Sequence, residues 1–291
     1  MHITEKIKNP IIAITGSSGA GTSSVMTSFM HIFSRLKLVA NTIEGDSMHK
    51  YNRADMKKRI AEEEAKGNNH FSHFGPEANI LDELANTFRT YKETGTAKRR
   101  YYIHNDEEGK IHGSPSGTFT PWSEMPESDL LFYEGLHGGF VNDKVNVAEN
   151  VDLLIGVVPI INLEWVQKIH RDKNARGYST EAVTDTILRR MPDYISHICP
   201  QFSKTDINFQ RIPTVDTSNP FIARDIPTPD ESFVVIRFRD PKNADFPYLL
   251  SMLDGSFMSR RNSLAVPGGK MGLAMEIIFT PLIEKMTKKT N

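Results

Sequence analysis

Apolar positions change period along this chain, and the changes mark out its elements. Residues 11–15, Ile-Ile-Ala-Ile-Thr, are a short β-branched run ending in glycine-rich sequence. A continuous apolar run of that length reads as a strand buried on both faces. From Thr22 to Leu36 the apolar residues Val25, Met26, Phe29, Ile32, Phe33 and Leu36 recur at helical spacing. Val39 to Ile43 predicts a second strand, followed by Glu44-Gly45-Asp46. Residues 11–46 thus predict a strand–loop–helix–strand unit with its glycines at the carboxyl end of the first strand. Further helices are predicted at 55–66, 80–91, 162–174, 181–191 and 272–285, and further strands at 130–134, 152–158, 212–215 and 233–238. Residues 95–128 are polar and rich in Gly, Pro and Ser, with a short strand-like piece at 100–103, and read as an insertion or lid-like region outside the core. Strands alternate with helices, which predicts an α/β fold with a mostly parallel sheet and helices on both faces. No linker divides the 291 residues, so they are expected to form a single domain.

Composition narrows the class of partner. The 35 Lys+Arg and 36 Asp+Glu nearly cancel, leaving a formal net charge of -1, without the basic excess of a nucleic-acid binder. No run of about 18 apolar residues and no N-terminal apolar segment occurs, so a cytoplasmic protein with no membrane partner is expected. Cys199 is the one cysteine and has no intramolecular disulfide partner. His70 and His73 have ligand-like spacing but no Cys pair, and read as ordinary loop or surface histidines.

The first candidate chemistry lies between the first strand and the first helix, in Gly16-Ser17-Ser18-Gly19-Ala20-Gly21-Thr22-Ser23-Ser24. Glycines let the backbone fold tightly, so its amides can surround phosphate oxygens at a helix N-terminus. Gly16, Gly21 and Ser23 fit the phosphate-binding pattern G-x-x-x-x-G-K-[ST], but Thr22 stands where the lysine belongs. Ser23 is placed to offer its hydroxyl to Mg²⁺. Without the lysine, the charge developing on a transferring phosphoryl group needs a cation from elsewhere. Lys168, Arg171 and Asp172 lie at i, i+3 and i+4 on one predicted helix face, with Leu163 and Val166 on the opposite side and Arg176 at the helix end. Such clusters are also common on solvated faces with internal ion pairs.

The run Lys168-Ile169-His170-Arg171-Asp172 followed by Arg176-Gly177-Tyr178-Ser179-Thr180-Glu181 matches every specified position of K-[LIVM]-x-R-D-x3-R-G-x-[ST]-x-E. By this signature and the lysine-less loop the chain resembles the bacterial phosphoribulokinases, within the phosphoribulokinase/uridine kinase-like family. The resemblance implies a P-loop NTPase-like fold, a three-layer sandwich like that of nucleoside monophosphate kinases. It implies transfer of the ATP γ-phosphoryl group to the C1 hydroxyl of D-ribulose 5-phosphate, with Mg²⁺, in Calvin-cycle carbohydrate metabolism. Another sugar phosphate or a nucleoside is the alternative acceptor, and a nucleotide sensor without turnover is a third reading.

Acids follow the second and third strands, where ligands sit in open parallel sheets. Asp46 resembles the family's catalytic base. Glu134, in the Walker-B-like position, is expected to hold Mg²⁺, and Asp172 is a second metal-site or orienting candidate. Either strand-end acid could instead cap the next helix. His49 and Arg53 follow Asp46 by three and seven residues and are placed to project together on a helix or turn. The resemblance implies that His49, Arg53, His104 and Arg176 contact ribulose 5-phosphate, and Arg171 is grouped with them. His137 is a weaker candidate near the metal site. The resemblance further implies a homo-oligomer, typically an octamer, with NADH activating and AMP inhibiting through arginines in places such as Arg35, Arg237, Arg260 and Arg261. The loop lacks the regulatory cysteine of plant-type enzymes.

Overall fold

Five parallel strands carry the part of the chain that holds the candidate site. The computed structural model describes residues 6–17, 22–222 and 225–287, without the side chains of residues 22–24, 175, 176 and 243. In chain order the regular elements are β1 (Ile11–Thr15), α1 (Thr22–Arg35), β2 (Ala40–Glu44), α2 (Arg53–Ala65), α3 (Leu81–Thr94), β3 (Lys98–Arg99), α4 (Asp106–His112), β4 (Ser123–Glu124) and β5 (Leu130–Gly135). They continue with β6 (Leu153–Val157), α5 (Ile161–Arg176), α6 (Thr180–Asp193), β7 (Ile207–Pro213), β8 (Ser232–Phe238), α7 (Phe246–Met252), β9 (Phe257–Arg260), β10 (Ser263–Pro267) and α8 (Met271–Thr287). Among the described residues one sheet runs β2-β5-β1-β6-β7-β8-β10-β9, and β3 pairs with β4 apart from it. The pairs from β2 to β7 are parallel and those beyond β7 antiparallel. No helix among the described residues is long and apolar enough to cross a membrane.

Alternation along β1 separates two cores. Ile12 and Ile14 join Val25, Phe29 and Ile32 of α1 and Ala274, Ile278 and Phe279 of α8 on one face. Ile11 and Ala13 join Leu84, Phe88 and Tyr91 of α3 on the other. Helices therefore cover both faces, as expected, and β1 is buried along its whole length. At roughly 25 cal/mol per Å² of apolar surface, such two-sided burial holds the central strands rigid relative to the loops that leave them.

The second half departs from strict alternation. The strand expected at 212–215 is β7, which starts at Ile207, pairs in parallel with β6 through its buried first half and ends at Pro213. From there the chain folds back as an antiparallel edge, in which β9 and β10 lacked a strong enough period to be read. Within 95–128 the strand-like piece shifts to Lys98–Arg99, with one isolated bridge between Tyr102 and Phe119. The same segment contains α4, whose N-cap Asn105 accepts from the Glu108 amide.

One close approach sets the geometry at the carboxyl end of the sheet. β2 and β5 run in register, Glu44 beside Glu134. Just beyond, a Cβ added to Gly135 would lie 2.6 Å from the Gly45 Cα, and one added to Gly45 would lie 2.7 Å from the Gly135 Cα. Two backbones pass where side chains cannot fit. The Gly16 amide donates to the Gly135 carbonyl at 3.1 Å, so the phosphate-loop entry is tied to the same point. Replacing Gly135 with Ala forces these strands apart and should cost about 1–3 kcal/mol of stability. A urea titration checks this, and an unchanged midpoint contradicts the packing argument.

Candidate active site

The phosphate-loop candidates fall partly outside the described residues. Ser18, Gly19, Ala20 and Gly21 lie outside them, as do the side chains of Thr22, Ser23, Ser24 and Arg176. Gly16 and Ser17 are described and buried, and the Ser17 hydroxyl donates a hydrogen bond to the Glu164 carboxylate of α5. Helical spacing then builds one row of charges on α5, with Glu164, Lys168 and Asp172 on successive turns. Lys168 Nζ donates to Asp172 Oδ2 at 2.5 Å, and Arg171 Nε donates to Asp172 Oδ1 at 3.2 Å. Lys168 and Asp172 are both buried, as are Leu163 and Val166. The cluster is therefore not the solvated helix face that sequence alone allowed. Burial, with positive Arg190 nearby, lowers the Lys168 ammonium to about 8 against the opposing pull of Asp172. Burial raises the Glu164 carboxyl, while the Ser17 hydrogen bond works against that shift. A cavity of about 20 Å³ beside this row is lined by Phe74, Glu164, Trp165, Lys168, Arg190 and Tyr194.

The second group of candidates sits around Asp46. β2 ends at Glu44, so Asp46 lies one step past the strand, in a single 3-10 turn over Gly45–Met48. His49 Nε2 lies 3.2 Å from Asp46 Oδ1, and the other His49 nitrogen, Nδ1, is 2.9 Å from Asn79 Oδ1. Burial alone would raise the Asp46 carboxyl, but the hydrogen bond and charge of His49, with His104 and His73 nearby, hold it well below the usual carboxylate range. Arg53 opens α2 and turns away from His49. It donates Nη2 to the His104 carbonyl at 2.9 Å and Nη1 to Ser116 Oγ at 3.3 Å. The His104 ring lies 3.8 Å from Glu44 Oε2. Glu44 is the main cause that holds this imidazole above its ordinary range, with burial opposing and Asp46 and Glu108 assisting. Asp46, His49, Arg53 and His104 thus gather in one place, and Glu134 flanks Glu44 on the neighbouring strand.

Several neighbours were not legible in sequence. Glu44 counted only as a strand end, yet it sets the charge of His104. Glu164 carried no motif signal. His73, read as an ordinary loop or surface histidine, stacks on His49 with ring centroids 3.8 Å apart and is held neutral by burial. Its Nδ1 is buried without a partner among the described residues. His137 is buried at 3% exposure and bonds the Phe74 carbonyl, and burial lowers it to about 4. That makes it a neutral core histidine. Burial raises the Cys199 thiol, which disfavours the reactive thiolate.

Oxygen donors for a metal are few. Among the described residues no group of three or more His, Cys, Asp or Glu could hold a metal ion. A bound Mg²⁺ would take one or two carboxylates, waters and substrate phosphates as ligands, and Glu134 at the end of β5 is a carboxylate of that kind. The arginines that the resemblance offers for an effector separate into two sets. Arg35 pairs with Glu276 at 2.8 Å, joining α1 to α8. Arg237, Arg260 and Arg261 instead converge on a cleft of about 700 Å³, with Asn208, Gln210 and Ser259.

Known proteins match this chain over most of its length. The model of the Phosphoribulokinase / Uridine kinase family matches residues 11–218. The chain is 66% identical to the phosphoribulokinase of Nitrobacter vulgaris, covering 97% of this chain and 98% of that one. It is 63% identical to the chromosomal phosphoribulokinase of Cupriavidus necator, covering 96% of each. The solved structure of the phosphoribulokinase from Rhodobacter spheroides superposes with a TM-score of 0.87 at 58% identity, covering 95% of this chain and 96% of that one.

The Glu44–His104 pair yields a pH prediction. A raised imidazole keeps its charge to higher pH and loses it as pH rises through its own midpoint. Glu44→Gln removes the main cause of the rise, so the His104 midpoint should fall toward the ordinary 6.5. NMR titration of the imidazole checks this, and a midpoint unchanged by Glu44→Gln contradicts it.

Proposed function

The chain belongs to the phosphoribulokinase/uridine kinase family, and we propose that its buried charges divide the work of phosphoryl transfer to a sugar phosphate. It is an ATP-dependent phosphotransferase that moves the γ-phosphoryl group to the C1 hydroxyl of D-ribulose 5-phosphate, releasing ribulose 1,5-bisphosphate and ADP. The observation that carries the assignment of roles is the hydrogen bond from Ser17 to Glu164. It ties the Glu164–Lys168–Asp172 row to a phosphate loop that lacks its own lysine.

Phosphoryl transfer is mostly positioning and electrostatic stabilisation. The loop from Gly16 to Ser24 wraps the ATP phosphates with backbone amides. Lys168 supplies the cation that Thr22 does not, with Asp172 holding the ammonium in place and stabilising its charged form. Asp46 accepts the proton of the attacking hydroxyl. The neighbouring histidines favour its ionised form, so its contribution lies in position more than in basicity. His49 occupies one carboxylate oxygen and leaves the other for the acceptor. Arg53, His104, Arg171 and Arg176 bind the sugar phosphate, whose fixed phosphate suits arginine forks, while His49, with both ring nitrogens engaged, lines the pocket by orienting Asp46. Glu134 and Ser23 hold Mg²⁺, which when bound draws charge from the phosphate oxygens.

Regulation and assembly follow the resemblance. The Arg237, Arg260 and Arg261 cleft takes NADH as activator and AMP as inhibitor, both anions suited to arginine recognition. The enzyme works in the cytoplasm as a homo-oligomer, an octamer.

Two experiments test this reading. ADP release is measured with ribulose 5-phosphate against a panel that includes ribose 5-phosphate and uridine. Asp46→Asn should lose roughly 10²–10⁴ in kcat. Lys168→Met should lose roughly 10²–10³ in kcat with ATP Kd changed by less than about threefold. Turnover of uridine alone would remove the sugar-phosphate assignment, and an intact Lys168→Met enzyme would remove the substitute cation. In the second experiment, Arg260→Ala with Arg261→Ala should abolish the response to NADH while basal turnover persists. A retained response places the effector elsewhere.

A further inference from the structure

The four residues 46–49, from Asp46 in the 3-10 turn to its C-cap His49, have backbone carbonyls that need partners. The Asp46 carbonyl accepts from the His49 amide at 3.2 Å, and the Met48 carbonyl accepts from the Ile80 amide at 2.9 Å. The two that remain, Ser47 and His49, are both served by one side chain. Arg100 donates Nε to the Ser47 carbonyl at 2.8 Å and Nη2 to the His49 carbonyl at 2.7 Å. Its guanidinium lies 3.9 Å from the Phe119 ring centroid and 5.0 Å from that of Trp122. No carboxylate lies within ion-pair distance of Arg100 among the described residues. The fork thus lies against two aromatic rings on its own segment and is aimed at two backbone oxygens. On the opposite side, the 78–80 strip pairs with the turn through the His49–Asn79 bridge.

We propose that Arg100 is a positioning residue for the catalytic base, fixing the 46–49 turn so that Asp46 and His49 meet the acceptor hydroxyl in register, and that 95–128 acts as its clamp instead of as a lid. The inference rests on the reading of Asp46 as base. The physical reason is geometric. A guanidinium fork gripping two carbonyls two residues apart fixes both position and tilt of the turn, which a single donor cannot do. Desolvation of the fork strengthens both bonds relative to water. Phosphoryl acceptors tolerate little misplacement, since an error of about 1 Å can cost 10²-fold in rate. The same segment also supplies His104 and the Ser116 hydroxyl that bonds Arg53. The clamp therefore aligns the base and the sugar-phosphate cations as one unit.

A double-mutant cycle tests this. Arg100→Met should lower kcat roughly 10- to 100-fold with KM for ATP unchanged within about twofold. Arg100→Lys, which keeps the charge and one donor, should recover part of that loss. In an Asp46→Asn background, Arg100→Met should cost less than about threefold more, because the group it positions is gone. A fold check by urea midpoint accompanies each variant. Arg100→Met with wild-type kcat, or the same factor lost in both backgrounds, overturns the role of Arg100. Should Arg100→Met fail to fold, Arg100→Lys and Phe119→Leu decide, and full activity in both overturns it. Asp46→Asn with undiminished turnover would instead remove the base reading itself, which the single variant reports before the cycle is drawn.

Discussion

Everything at the active end of this molecule is referenced to the crossing of Gly45 and Gly135. β2 and β5 run parallel and in register, and just beyond their last paired residues the two backbones pass with no room for a Cβ on either. The 46–49 turn therefore leans over the end of β5. The phosphate loop begins at the same spot, since Gly16 donates to the Gly135 carbonyl. The turn bearing Asp46, the strand bearing Glu134 and the loop after β1 share one fixed origin. Two apolar cores, one on each face of β1, keep that origin from drifting.

The missing loop lysine has a structural consequence. A cation on the loop would move with the loop, whereas Lys168 rides on α5 and its position depends on the packing of Leu163 and Val166. Burial would otherwise favour the neutral amine. Asp172 offsets that cost, and removing one partner of such a buried pair is far more damaging than replacing both. Glu164 completes the arrangement by accepting from Ser17, so the start of the loop and helix α5 are held to each other.

Around Asp46 the structure uses histidines in unlike states. Glu44 beside it raises the His104 imidazole above its ordinary range. His73 and His137 are neutral because they are buried. Their residue type is the same, and only the neighbourhood separates an imidazole raised by a carboxylate from buried, lowered ones. The same holds for the arginines. Arg35 is an inter-helix tie, Arg100 a backbone clamp and Arg237 one wall of a cleft.

Local chemistry was readable along the chain. The β-branched run of β1, the glycines after it, the period of α1 and α3, and the Lys168 to Glu181 signature each depend on residues close in sequence, so their meaning survives without a fold. Asp46, His49 and Glu134 were legible for the same reason, as acids and imidazoles next to strand ends. What only the tertiary structure decided are contacts between distant segments. Arg100 reaches Ser47 across 53 residues and Ser17 reaches Glu164 across 147, and no periodicity encodes either pairing. Of the antiparallel edge β8 was readable, whereas β9 was obscure because an exposed strand has little alternation to show. Sequence by itself determined which chemical groups stand at the ends of the strands. The fold decided how deeply each is buried and which neighbours it holds, because those properties come from contacts that the chain brings together only when it packs.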